Sequence, residues 1–114
     1  MLREVLQSKI HKATITEADI SYIGSITIDC DLLERIDLWP GQKVVVVSNT
    51  TGHRLETYVI SGQRGSGMIC MNGAAAHLIK KGDEVIIFSY ALSDRQIQAK
   101  CILVDAHNKY IQDL

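Results

Sequence analysis

The sequence has no apolar run long enough to cross a bilayer, and its opening segment, Met1 to Lys9, lacks the apolar stretch of a secretory signal. No membrane partner is expected, and the expected location is the cytoplasm. Charge of one sign is missing as well. Twelve Lys+Arg face 13 Asp+Glu for a net charge of -1, and basic pairs such as Lys80-Lys81 are too short to form a patch. That excludes the positive field needed to attract nucleic acid. Cysteine is sparse: Cys30, Cys70 and Cys101 are an odd number at wide spacing, with no CxxC and no histidine at ligand spacing. They read as reduced, mostly buried thiols, and no metal site is expected. No G-x-S-x-G elbow surrounds Ser25 or Ser66, which argues against a serine hydrolase of that design.

What is present is a chain of 114 residues, 46% hydrophobic and 22% charged, which suits one compact domain over residues 1–114. Its runs are short. Residues 4 to about 15 alternate as a strand that sets Lys9 and His11 on one face. Thr16 to Asp19 reads as a turn or single helical turn capped by Thr16. Asp29 or Asp31 caps a short helix over Leu32 to Ile36, which stops before the Trp39-Pro40-Gly41 turn. Val44 to Val47 is too short and too β-branched to be anything but a buried strand. Asn49 to Gly52 turns it back into a second strand, His53 to Ser61. Further strands are expected at Met68 to Met71, Glu84 to Tyr90 and Cys101 to Asp105. Many short strands with little helix point to a mainly β chain, a small closed barrel.

One stretch carries chemistry: Tyr22-Ile23-Gly24-Ser25. A Gly-Ser pair usually marks a turn, and Gly65-Ser66, in a glycine-rich tip, is read that way. Glycine also allows a hard backbone bend. If the Ser25 hydroxyl is pressed on the Gly24 carbonyl, it attacks, moves the acyl group from nitrogen to oxygen and leaves an ester. Elimination at Ser25 then breaks the chain, and the residue left at the new end hydrolyses to a ketone, a pyruvoyl group.

Lys9-Ile10-His11, Tyr22 to Ser25, Arg54 to Tyr58 and Asn72 to His77, in this order and spacing, closely resemble the pyruvoyl-dependent aspartate 1-decarboxylases. The resemblance runs from residue 1 to about residue 92; the tail from Ser93 to Leu114 matches poorly. It implies a six-stranded double-psi β-barrel with short helices, and autocatalytic cleavage into residues 1–24 (the beta chain) and 25–114 (the alpha chain). It also implies a homotetramer with sites between subunits, and conversion of L-aspartate to beta-alanine and CO2 through a Schiff base, for pantothenate biosynthesis. By the same resemblance Ser25 is the precursor of the covalent pyruvoyl cofactor and Tyr58 the proton donor. Lys9, Arg54 and Thr57 are substrate contacts, and Gly73, Ala74 and Ala75 form a small-residue loop against the substrate. Gly24 is the other side of the cut bond, with Thr57 a candidate for holding its carbonyl oxygen and Asn72 nearby. Where Val47 stands, members of the family can carry an aromatic that lines the site.

These residue types suit the chemistry. A guanidinium such as Arg54 matches a carboxylate bidentately, and a covalent carbonyl draws off the electrons released with CO2. Thr57 and Tyr58 alternate to opposite faces of one strand, so a bulge or a subunit interface is required to bring both to one site. The competing reading is a non-catalytic β-barrel binding module.

Overall fold

The computed structural model describes residues 1–114. The short apolar runs fold as nine strands: β1 (Arg3–Thr14), β2 (Glu17–Asp19), β3 (Ser25–Asp29), β4 (Lys43–Ser48), β5 (Arg54–Gly62), β6 (Ile69–Asn72), β7 (Glu84–Ser93), β8 (Lys100–Val104) and β9 (Tyr110–Asp113). One short helix, α1 (Cys30–Arg35), and a 3₁₀ turn (Gly73–His77) interrupt them. No helix is long and apolar enough to cross a membrane.

The chain is mainly β, and its strands pair in the order β2-β6-β3-β5-β4-β7-β1-β8-β9. Nine strands appear where six were expected, and β2 and β9 each keep one free edge, so this ladder does not close on itself. Alternation fixes which face is buried. In β4, Val44 and Val46 enter the core while Val45 and Val47 stay half-buried on the other face. Ser48 Oγ accepts the N–H groups of Thr50 and Thr51, and Gly52 takes φ +82°. The chain thereby returns as β5, with Val47 opposite Arg54 and Lys43 opposite Tyr58. Twenty buried apolar residues form a single core cluster, with Ile10, Ile26, Ile28, Val46, Met71 and Ile87 among the most enclosed.

Three polar anchors hold this arrangement. Asp29 caps α1 by accepting Asp31 N–H at 2.9 Å, and its two oxygens also accept Gly65 N–H at 3.1 Å and Gly67 N–H at 2.8 Å. A buried carboxylate with three backbone donors is well satisfied, and it fixes the far end of β3. Thr16 does not cap a helical turn as expected. Its hydroxyl accepts from Ile69 N–H and donates to the Ile69 carbonyl, so Glu17–Asp19 runs on as strand β2 beside β6. From the tail, buried Asn108 accepts Thr14 N–H at 2.8 Å and donates to the Thr14 and Gly67 carbonyls at 2.8 and 2.7 Å. The three thiols are free and half-buried, less enclosed than the sequence suggested.

Candidate active site

Ser25 opens β3, and its place follows from the core. Ile26 and Ile28 point inward, so Ser25 and Thr27 turn to the opposite face. Ser25 is nevertheless fully buried, because it pairs with Asn72 across the antiparallel ladder and lies under the residues that precede it. Its hydroxyl donates to the Ile23 carbonyl at 3.2 Å. The Asn72 amide nitrogen donates to Ser25 Oγ at 2.9 Å and to Thr27 Oγ1 at 3.0 Å. The serine oxygen is thus held from both sides, next to the peptide bond it would attack.

The glycine requirement falls at a different position from the one expected. Gly24 is not among the residues with positive φ, and a Cβ built on it would meet nothing within 4 Å. Gly73 has φ +72°, and a Cβ there would stand 2.7 Å from Gly24 Cα, 2.9 Å from Gly24 N and 3.1 Å from the Tyr22 carbonyl oxygen. Only a residue without a side chain allows the 3₁₀ turn to lie against the Gly24–Ser25 link. Ala74 and Ala75 continue this turn, exposed and half-exposed.

Tyr58 joins the same group. β3 and β5 run parallel with Ile26 beside Val59, both in the core. One residue back, Ser25 and Tyr58 therefore turn to one common face, and Tyr58 is 40% exposed there. Thr57 turns the other way, opposite core-facing Val44. The β4–β5 register runs without a shift from Arg54 to Tyr58, so the bulge considered from sequence is absent. Within one chain, Ser25, Asn72 and Gly73 come together with Tyr58 on the same face of the sheet, while Thr57 turns to the opposite face.

Lys9 and Arg54 assemble elsewhere, around a residue that sequence reasoning missed. Phe88 of β7 is the ladder partner of both Lys9 and Val45, and the Arg54 guanidinium lies 5.5 Å above its ring. Tyr90 packs edge-on against Phe88 at 5.7 Å. A hollow of about 270 Å³ here is lined by Arg54, Phe88, Tyr90, Lys43 and Glu56, among others. Arg54 takes part in none of the four ion pairs. Glu56, its neighbour on this face, is engaged 2.9 Å away by Lys43, whose pKa is raised by that hydrogen bond and by the charge of Glu56. Arg54 is therefore left with an unneutralised guanidinium on an aromatic shelf, suited to an incoming carboxylate.

The largest cavity, about 530 Å³, contains none of the expected site residues. It lies beside α1, with Asp29, Asp31, Glu34, Arg35 and Lys109 among its walls. Its charges are already matched: Arg64 bonds Asp31 and Glu34, and Arg35 stacks on Tyr110 at 3.7 Å. Asp29, Cys30 and Asp31 bring ligand atoms within 4.8 Å of one another, but the Asp29 oxygens are taken by backbone N–H groups.

The family model described as aspartate decarboxylase matches residues 1–111. This chain belongs to that family. An aspartate 1-decarboxylase of Neisseria meningitidis is 55% identical over 118 residues, covering 100% of this chain and 92% of the relative. One from Acetivibrio thermocellus is 53% identical, covering 97% and 91%. One from Corynebacterium efficiens is 54% identical, covering 97% and 85%. The similarity continues through the tail from Ser93, beyond the expected end near residue 92. Asn108, which ties that tail to Thr14 and Gly67, gives the physical reason: β8 and β9 are part of the packed structure.

Proposed function

We propose that this chain, an aspartate decarboxylase by family, cuts itself between Gly24 and Ser25 and uses the resulting pyruvoyl group at position 25 to convert L-aspartate to beta-alanine and CO2. The observation that carries the reading is the setting of Ser25: a fully buried hydroxyl on the Asn72 amide, with Gly73 pressed against Gly24. The cradle fits the group, because a methyl on Gly73 would fill the space the cut link needs. The pyruvoyl ketone supplies an electrophilic carbonyl that takes up the substrate amine and the electron pair freed when CO2 leaves.

The chain's own residues bind and protonate. Arg54 clamps one carboxylate with its two parallel N–H donors, supported from below by Phe88, and Lys9 adds positive charge beside the same ring. Tyr58, on the face of Ser25, returns a proton from its hydroxyl to the alpha carbon. Thr57 holds the Gly24 carbonyl oxygen while the chain is cut, Asn72 stands nearby on Ser25 Oγ, and Gly73, Ala74 and Ala75 lie against the substrate.

Arg54 and Tyr58 are separated by four residues of unbroken strand, roughly 13 Å of rise, and a four-carbon acid is shorter than that. This separation supports a homotetramer in which the Lys9–Arg54 group of one subunit faces the Ser25–Tyr58 group of its neighbour. Ile20, Tyr22 and Ile23, at 60, 53 and 74% exposure next to the cut, are apolar surface that a neighbour would cover. We further propose that the rolled sheet is a double-psi barrel: β1 and β3 each have one antiparallel and one parallel neighbour, a repeated pattern. The free thiols suit the cytoplasm, and the product suits pantothenate synthesis.

Intact-mass measurement of the purified protein tests the reading. It is expected to give fragments 1–24 and 25–114, the larger one blocked to N-terminal sequencing, and Ser25→Ala should abolish both cutting and activity. An uncut chain that decarboxylates aspartate overturns it, and cutting at Gly65–Ser66 moves the cofactor.

A further inference from the structure

We propose that Thr27 is a positioning residue for self-cleavage: by accepting one N–H of the Asn72 amide, it keeps the other on Ser25 Oγ, the oxygen that leaves when the chain breaks. The inference rests on the reading that Gly24–Ser25 is the bond cut.

A carboxamide has a donating end and an accepting end, and rotation by half a turn exchanges them. Here the amide nitrogen of Asn72 reaches Ser25 Oγ at 2.9 Å and Thr27 Oγ1 at 3.0 Å, two hydroxyls that lie two residues apart on one face of β3. Ser25 sends its own proton to the Ile23 carbonyl at 3.2 Å, so its oxygen is the acceptor toward Asn72. Asn72 is 5% exposed, which leaves little access for water to replace either bond. Without the Thr27 hydroxyl, only Ser25 Oγ holds the nitrogen on this side. Most amides then turn their oxygen to take the Ser25 proton instead.

That rotation matters at one step. When Ser25 Oγ attacks the Gly24 carbon, the Gly24–Ser25 C–N bond breaks, the hydroxyl proton passes to the nitrogen and an ester forms. Loss of the Ser25 Cα proton to water then makes the carbon–carbon double bond. The Cβ–Oγ bond breaks, and its electron pair moves onto Oγ, which departs as the Gly24 carboxylate. Water finally displaces the nitrogen as ammonia. The charge that grows on Oγ in the elimination is stabilised by the Asn72 N–H, and a donor aimed at developing charge is worth ~10² to 10³ in rate. Thr27 acts only through the orientation of that donor, so its loss is expected to cost about tenfold, the equivalent of one hydrogen bond.

The test compares wild type, Thr27→Val, which keeps the shape, and Thr27→Ser, which keeps the hydroxyl. Each is made by cell-free translation and followed by intact mass. Brief hydroxylamine at neutral pH reports the ester, which it cuts to leave serine at the start of 25–114. Expected are equal rates for wild type and Thr27→Ser, and about tenfold slower cutting of Thr27→Val with an uncut pool that hydroxylamine cleaves. Wild-type cutting by Thr27→Val, or a slow pool resistant to hydroxylamine, overturns the inference and leaves the reading intact. No cutting of wild type removes both. Thr27→Ala is read in the same way if the valine variant does not fold.

Discussion

Replacing Gly73 by alanine puts one methyl where the backbone of the Gly24–Ser25 link runs. The new Cβ would lie 2.7 Å from Gly24 Cα, 2.9 Å from Gly24 N and 3.1 Å from the Tyr22 carbonyl oxygen. Carbon atoms pack at about 3.5–4.0 Å, so the shortfall at Gly24 Cα is roughly 0.8–1.3 Å. All three neighbours are backbone, and no side-chain rotation relieves the clash. Holding alanine at φ +72° adds about 1–2 kcal/mol. The link must therefore move by about an ångström relative to Ser25 and Asn72, a misplacement that costs on the order of 10²-fold in rate where geometry is critical. Gly73→Ala is expected to fold, with a lower melting temperature, and to cut itself about a hundredfold more slowly by intact mass. Cutting within twofold of wild type, in a folded variant, would refute the argument that Gly73 sets the position of the Gly24–Ser25 bond.

Other substitutions separate the roles. Tyr58→Phe should be cut normally yet turn over aspartate ~10² to 10⁴ times more slowly, the range for loss of a general acid; unchanged turnover would remove Tyr58 as the proton donor. Asn108→Ala leaves the partners of three hydrogen bonds unpaired, the buried one at Gly67 and two half-buried ones at Thr14, and should lower unfolding free energy by about 3 kcal/mol; denaturant titration measures it. The Arg64 hydrogen bond holds the Glu34 carboxyl below its ordinary value of 4.5. The stability this adds is complete above that value and is lost as pH falls through the lowered one. Acid unfolding of Glu34→Gln should accordingly differ from wild type above pH 4.5 and approach it as the pH falls below that value, and parallel curves throughout would contradict the assignment.

Local patterns in the chain were enough to place the hairpin of β4 and β5, because a β-branched run followed by Asn49 to Gly52 leaves few alternatives. The start of α1 was readable only as Asp29 or Asp31, since either acceptor side chain before a short helix has a partner in its first turn, and the structure gives it to Asp29. Long-range pairing was not. β2 depends on hydrogen bonds between Thr16 and Ile69, 53 residues apart, and nothing in Glu17–Asp19 alone announces a strand. The same limit hid Phe88, whose importance comes from facing Lys9 and underlying Arg54. It also hid Thr27 and placed the glycine requirement at Gly24, when the contact that demands it is made by Gly73. Asn108 could have been suspected from its turn setting, but only the fold puts Thr14 and Gly67 within its reach.

The most direct measurement is trapping. Purified protein is treated with borohydride in the presence of L-aspartate, digested and mapped by mass spectrometry. A covalent substrate adduct is expected on the peptide that begins at position 25, and none in Ser25→Ala. An active wild-type enzyme with no adduct there would contradict a pyruvoyl group at position 25.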